Sequence, residues 1–375
     1  MSGHSLRTPA ELQHRRQRLE SVLDSHDLKA IWFGRPNSFG WLTGGSNVVD
    51  RDSPLGVAAA GYERDTGFRV VTNTIEADRL RTEELPDAFE LTAVEWYTDS
   101  LPAAVATESP TPAAADFDVA GCSQLDGSTI RQPLSKADID RYRSLGRETA
   151  TAVEAVCREL AADQSERAVA AAVRSELEAR GIAAPVVLVG SSDRAPQYRH
   201  FTPTTAELGE YAIVSITAQR GGLYASLSRT VVFDPPEWLT ARFEAAATVE
   251  ATALAATRQA QKAGSTAGDV FERIQQAYET VGWPDEWQQH HQGGAAGFAG
   301  REWIATPSSA DPVAAPQAYA WNPTVQGAKS EGTVLVAENG IEPLTMTDSW
   351  PTVSVSATEA ADPPLTIDRP APLSI

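Results

Sequence analysis

The segment 211-YAIVSITAQRGGLYASLSRTVVF-233 reads as two apolar strands joined at Gly221-Gly222, with Arg229 and Thr230 closing the second strand. Paired glycines accept the positive φ that a two-residue hairpin turn needs. Ser215 and Ser226 stand 11 positions apart, one on each strand. Their hydroxyls are neutral and ligate divalent metals poorly. As nucleophiles they need a base beside them and an oxyanion site.

Just upstream, 199-RHFTP-203 carries His200, whose imidazole can both take and give a proton near neutral pH. In the loop leading to it, Asp193, Arg194 and Tyr198 suit a cleft lining or a solvated surface equally well. Downstream lies 288-QQHHQGGAAGFAGRE-302. Adjacent side chains on a strand point to opposite faces, which sends one of His290 and His291 to a cleft and the other to the core. Gly293, Gly294 and Gly297 suggest close backbone approach or special φ/ψ. Arg301 can hold a carboxylate by a bidentate contact, and Glu302 follows it. Asn322 lies in 320-AWNP-323 and Glu331 in 330-SEGTVLV-336.

Around these segments the chain reads as α/β, of α+β type, with an N-terminal α/β domain over 1–131 and a second domain over 132–375. Pro9 to Asp24 is helical, Leu28 to Gly34 a buried strand, Arg69 to Asn73 another strand, and Ile75 to Arg81 a helix. Pro102 to Ala115 reads as a surface loop or weak helix, and Val119 to Cys122 as a short strand. Gln132 to Ser135 forms the linker, with Ser135 capping a helix from Lys136 to Leu160. Apolar steps of three and four at Ile139, Tyr142, Leu145, Ala152, Val153 and Val156 mark its inner face, with Thr149 the polar exception. Helices follow at 165–180, 241–260 and 269–281, a strand at 186–190, and strands after His290. The Pro-rich tail from Pro363 reads as peripheral.

The chain has 375 residues, is 42% hydrophobic and carries a net charge of −19. Lys29, Lys136, Lys262 and Lys329 are its only lysines, so 27 of 31 basic residues are arginine. Abundant carboxylates with so few lysines fit a protein adapted to multimolar internal salt, which screens self-repulsion. The same charge argues against nonspecific nucleic-acid binding, which needs clustered cations. No apolar run approaches a membrane span and no apolar signal core opens the chain, so a cytoplasmic location is expected. Cys122 and Cys157 have no CxxC partner and read as ordinary buried thiols.

Together these segments resemble, in order and spacing, the pita-bread metallopeptidases: methionine aminopeptidase, Xaa-Pro aminopeptidase, prolidase and creatinase. The stretch from Asn37 to Gly45 is similar to a segment of creatinase-type N-terminal domains, with Trp41 at a tyrosine position. Metal-dependent members have aspartates where this chain has Ser215 and Ser226. The resemblance places Gly294 at a metal-binding histidine, His290 at the histidine before it, Asn322 at a glutamate ligand and Glu331 at the last glutamate ligand. One of five ligands survives. Two divalent ions about 4 Å apart repel by roughly 17 kcal/mol at an effective dielectric of about 20, and relatives offset this with four carboxylates.

The resemblance therefore implies a hydrolase without the usual metals and with no other cofactor, acting on a small amide, guanidino or short-peptide substrate. His200 would be the acid/base, as the matching histidine is in creatinase, and Glu331 would hold a cationic or N–H group. Ser215, Ser226, His290, His291, Arg301, Glu302 and Asn322 would bind substrate. Two other readings stay open. One is a noncatalytic binding protein. The other is a divergent metal-dependent aminopeptidase using His290 or His291 with Glu302 and Glu331. Relatives with this N-terminal domain commonly form homodimers, and the same is expected here, with Trp41, Trp96 or Trp350 as contact candidates if exposed.

Overall fold

The computed structural model describes residues 7–358 and 365–375; the first six residues and the start of the Pro-rich tail lie outside the described residues. The chain separates into two compact units. One contains the residues up to Gln132 with Gly221–Leu223, the other Pro133–Arg220 with the residues from Tyr224 onward.

The first unit begins with α1 (Pro9–His26), started by a Thr8–Glu11 capping box and ended at Asp27 in the left-handed region. β1 (Ala30–Phe33) and α2 (Pro36–Thr43) follow, then β2 (Ala58–Glu63), β3 (Gly67–Asn73), and α3 (Ala77–Arg79), which runs into a π turn at Leu80–Glu84. β4 (Glu90–Val94), α4 (Leu101–Glu108), β5 (Ala113–Ala115), β6 (Cys122–Gln124) and α5 (Gly127–Arg131) complete it. The six strands form one mixed sheet in the order β4-β3-β2-β1-β5-β6. The expected loop or weak helix over 102–115 divides in two. Its first part is α4. Ala113–Ala115 is instead a fully buried strand between β1 and β6, in one apolar cluster with Ala104 and Val105 of α4. Trp41 is buried, whereas Trp96 is exposed.

The second unit opens with α6 (Lys136–Arg158), whose Ser135 cap forms a reciprocal box with Asp138. Then come α7 (Glu166–Glu178), β7 (Ala183–Ser191), β8 (Tyr211–Arg220), β9 (Leu223–Val232), α8 (Leu239–Ala263) and α9 (Ala267–Thr280). The remaining elements are short strands: β10 (Gly293–Ala296), β11 (Trp303–Ile304), β12 (Gln317–Trp321), β13 (Thr324–Val325), β14 (Ala328–Lys329), β15 (Gly332–Ala337), β16 (Gly340–Pro343), β17 (Thr352–Ser356), β18 (Thr366–Pro370) and β19 (Leu373–Ser374). Seven strands run in the order β11-β10-β12-β15-β9-β8-β7, with β16 on β15 and β19 beside β9. The β8–β9 turn has positive φ at both Gly221 and Gly222, as its sequence requires. Among the described residues, α8 and α9 bury Val249, Leu254, Phe271 and Ile274 against Trp321, Val334 and Val336 of the sheet.

The tail is not peripheral. Arg369 on β18 is 1% exposed and donates from Nε to Glu250 on α8 at 2.9 Å, while β19 adds a parallel strand to β9. A second buried pair joins Arg229 on β9 to Glu154 on α6 at 2.6 Å. Breaking such a pair strands a buried charge and costs about 3–5 kcal/mol. Trp350 is also buried, and so is not a surface contact. Both cysteines are free thiols, and burial pushes Cys157 up to about 12. Among the described residues no helix is long and apolar enough to cross a membrane.

Candidate functional site

The hairpin register follows from its two-residue turn. Ser215 on β8 lies across from Ser228 on β9, their hydroxyl oxygens 2.6 Å apart, and Thr217 lies across from Ser226 at 3.0 Å. Ser228 donates to Glu331 Oε2 at 2.8 Å, so its single proton is used there and Ser215 must be the donor to Ser228.

Glu331 sits between β14 and β15. The chain is extended there, so Lys329 and Glu331 share one side while Ser330 faces the other and donates to Glu250 at 2.5 Å. Lys329, 5% exposed, places Nζ 3.1 Å from Glu331 Oε2. Arg301 places Nη2 3.2 Å from Oε1 and donates from Nη1 to Ser226 at 3.2 Å. Burial alone would raise the Glu331 carboxyl, but Lys329, Arg301 and the Ser228 hydroxyl together hold it below its ordinary value. Glu331, which the resemblance places at a ligand position, is thus engaged on both oxygens by protein cations.

The other positions fit a metal no better. Ser215 and Ser226 spend their hydroxyls on neighbours. A Cβ at Gly294 would lie 2.2 Å from the Trp303 carbonyl oxygen, so β10 has no space for a side chain there. Asn322 is buried, its backbone N–H bonded to Gln292 O at 3.0 Å and its Oδ1 without a hydrogen-bond partner. With Glu331 counted, Lys329 and Arg301 leave one net positive charge, which repels a divalent ion about 4 Å away by about 8 kcal/mol at an effective dielectric of about 20. The residues present do not fit the dinuclear centre that the family resemblance implies.

Beside this network three imidazoles converge. His200 lies in the loop between β7 and β8, anchored by the Arg199–Glu286 ion pair and by buried Phe201, which packs on Gly190. Its Nε2 is 3.2 Å from His290 Nε2. The rings of His290 and His291 stack at 4.4 Å, and both lie near the His200 ring. The expectation that they point to opposite faces is corrected. They follow a 3-10 turn at Glu286–Gln289 and precede β10, so strand alternation does not apply. Gln292 holds this segment, donating to His290 O at 2.6 Å and bonded to the Tyr278 hydroxyl at 2.9 Å. Burial, then Lys329 and the neighbouring imidazoles, lower His290 far below the usual histidine range. Burial, then Arg301 and Lys329, bring His291 down to about 4. Both are neutral at pH 7.

Of the expected site residues, the structure brings His200, His290 and His291 together, and separately Ser215, Ser226, Arg301 and Glu331. Glu302 accepts from the Phe298 N–H at 2.8 Å and closes the loop that begins at Gly297. Arg194 forms an ion pair with Glu166 and donates to Thr202 O at 3.0 Å, fastening the loop entering His200. Sequence reading missed Lys329, Ser228 and Thr217. Lys329 was findable, two positions before Glu331 on an extended segment. The two hydroxyls follow once the turn fixes the register.

Comparisons with known proteins agree on the scaffold. The model of metallopeptidase family M24 matches residues 140–338. The structure is similar to the prolidase from Pyrococcus horikoshii, at 15% identity over 89% of this chain and 99% of that one, with TM-score 0.70. It is similar to the Xaa-Pro dipeptidase from Bacillus anthracis, at 13% identity over 90% and 98%, with TM-score 0.70. It is also similar to the N-terminal domain of the FACT complex subunit SPT16 from Cicer arietinum, at 12% identity over 92% and 98%, with TM-score 0.67. No curated protein matches the sequence. At these identities the structural likenesses bear on fold, and they match the mixed α/β, pita-bread architecture of prolidases. With just over half of its length matched by the family model, the chain belongs to metallopeptidase family M24.

Proposed function

We propose that this chain is a metal-independent hydrolase of the prolidase type, acting on a short peptide or small amide with His200 as the proton-transfer group. The observation that carries this reading is the closure of Glu331 by Arg301 and Lys329. The resemblance implies metal charge at this network, and here two fixed protein cations supply positive potential in its place. His200, exposed and hydrogen-bonded to neutral His290, takes a proton from water as the water oxygen attacks the carbonyl carbon. Arg301 and Lys329 stabilise the developing oxyanion. The C–N bond then breaks and His200 returns the proton to the leaving nitrogen.

Ser215 and Ser226 bond to other hydroxyls and to Arg301, with no imidazole among their hydrogen-bond partners, which favours water over a serine as nucleophile. Two cations around one carboxylate also disfavour a cationic guanidino substrate relative to a neutral amide. The test is turnover of a panel of dipeptides, including Xaa-Pro, and small amides by chelator-treated protein in multimolar KCl. Turnover that survives chelation and is lost in His200→Ala supports the reading. Absence of turnover with retained peptide binding replaces it with a noncatalytic binding protein.

A further inference from the structure

We infer that His200, His290 and His291 form a binding site for a single nitrogen-preferring divalent transition metal, distinct from the family's dinuclear centre. Each imidazole offers one ring nitrogen, and among the described residues these three nitrogens lie within 4.8 Å of one another. The shortest separation, 3.2 Å between His200 Nε2 and His290 Nε2, already matches two ligands of one ion. Metal–nitrogen bonds of about 2.0–2.1 Å in a tetrahedral set put the ligand atoms about 3.4 Å apart. The separations run to at most 4.8 Å, so closing on one ion moves a ring by no more than about 1.4 Å. His291 and His200 are exposed and sit on irregular segments, where such an adjustment needs no change in either strand.

The protonation state suits a metal. His290 and His291 are held neutral, the form that ligates. The opposing influence is positive charge. Arg199 is neutralised by Glu286, and Lys329 and Arg301 share Glu331, which leaves one net positive charge near the rings. That one net charge lowers the affinity, and burial limits how far salt screens it. An all-imidazole set selects zinc, cobalt, nickel or copper(II), and rejects magnesium and calcium, which require oxygen ligands.

The consequence for activity rests on the proposed function. A metal at this site occupies His200 Nε2, breaks its hydrogen bond to His290 and adds positive charge to the ring, so binding inhibits hydrolysis. The probe is cobalt(II), titrated into chelator-treated protein in multimolar KCl and followed by its visible absorption. The expected result is one equivalent with a low-coordinate spectrum, unaffected by excess magnesium. His200→Gln and His291→Gln, each checked for an unchanged thermal melt, should weaken it about tenfold or more. No saturable binding, two equivalents, or binding that survives both substitutions would overturn the assignment. The spectrum is read without substrate, so it stands or falls separately from hydrolysis.

Discussion

Glu331→Gln perturbs the centre of the structure most directly. The side chain keeps its shape and loses the charge that lies 3.1 Å from Lys329 and 3.2 Å from Arg301. At an effective dielectric of about 20, each contact is worth about 5 kcal/mol by Coulomb's law. Desolvation of three buried ions offsets much of that gain, so the intact network is close to break-even. Removing only the carboxylate is different, because buried Lys329 and partly buried Arg301 then lose their shared counter-charge. The expected loss is about 3–5 kcal/mol. Lys329→Met costs less, because Glu331 keeps Arg301 and Ser228. The double variant should recover about 2 kcal/mol relative to the sum of the single losses, since the repulsion exists only when both cations remain. Urea unfolding in multimolar KCl, followed by tryptophan fluorescence, measures all three. A loss in Glu331→Gln below about 1 kcal/mol, the range of exposed ion pairs, would refute the reasoning. So would strict additivity in the double variant.

Other consequences are equally direct. Arg369→Ala should cost about 3–5 kcal/mol and make the C-terminal strands an early site of proteolysis, because it leaves Glu250 buried without its guanidinium; unchanged urea stability and proteolysis would contradict the pairing. Gly294→His should destabilise by about 1–3 kcal/mol or more and create no metal site, since its Cβ meets the Trp303 carbonyl; urea unfolding with metal analysis checks both. His291, facing Arg301, Lys329, Glu331 and His200, has a folded pKa of about 4. The unfolded chain takes that proton near pH 6.5, so acidification from about 6.5 to 4 favours unfolding, and the contribution is fully present only above about 6.5. His291→Gln should flatten the pH dependence of thermal stability in that window, and an unchanged slope would contradict the shift.

How much of this was legible in the sequence depends on how local each signal is. The hairpin was plain because Gly221-Gly222 dictates its turn, and Ser135 announced α6 through its capping position. Ala113–Ala115 was hidden because three alanines carry no β-branched signal, and pairing with β1 and β6 inside the sheet decides the matter. His290 and His291 were assigned to a strand because nothing in the sequence marks the 3-10 turn before them. Arg369 pairs with Glu250 across 119 residues, a separation at which periodicity says nothing. At the site, the resemblance led residue by residue to the expectation that metal ligands are replaced. The pairing of Glu331 with Arg301 and Lys329 could not be read, because it depends on which strands the fold brings side by side.

Metal stoichiometry tests the central claim most directly. Protein purified in multimolar KCl, supplemented with manganese, cobalt or zinc and freed of excess ion, is analysed for bound metal beside Glu331→Gln. The account predicts no manganese, at most one cobalt or zinc per chain, and no two-metal state in either protein. About two metals per chain in the parent protein, falling in Glu331→Gln, would show that the dinuclear centre forms despite Arg301 and Lys329, and would contradict the account.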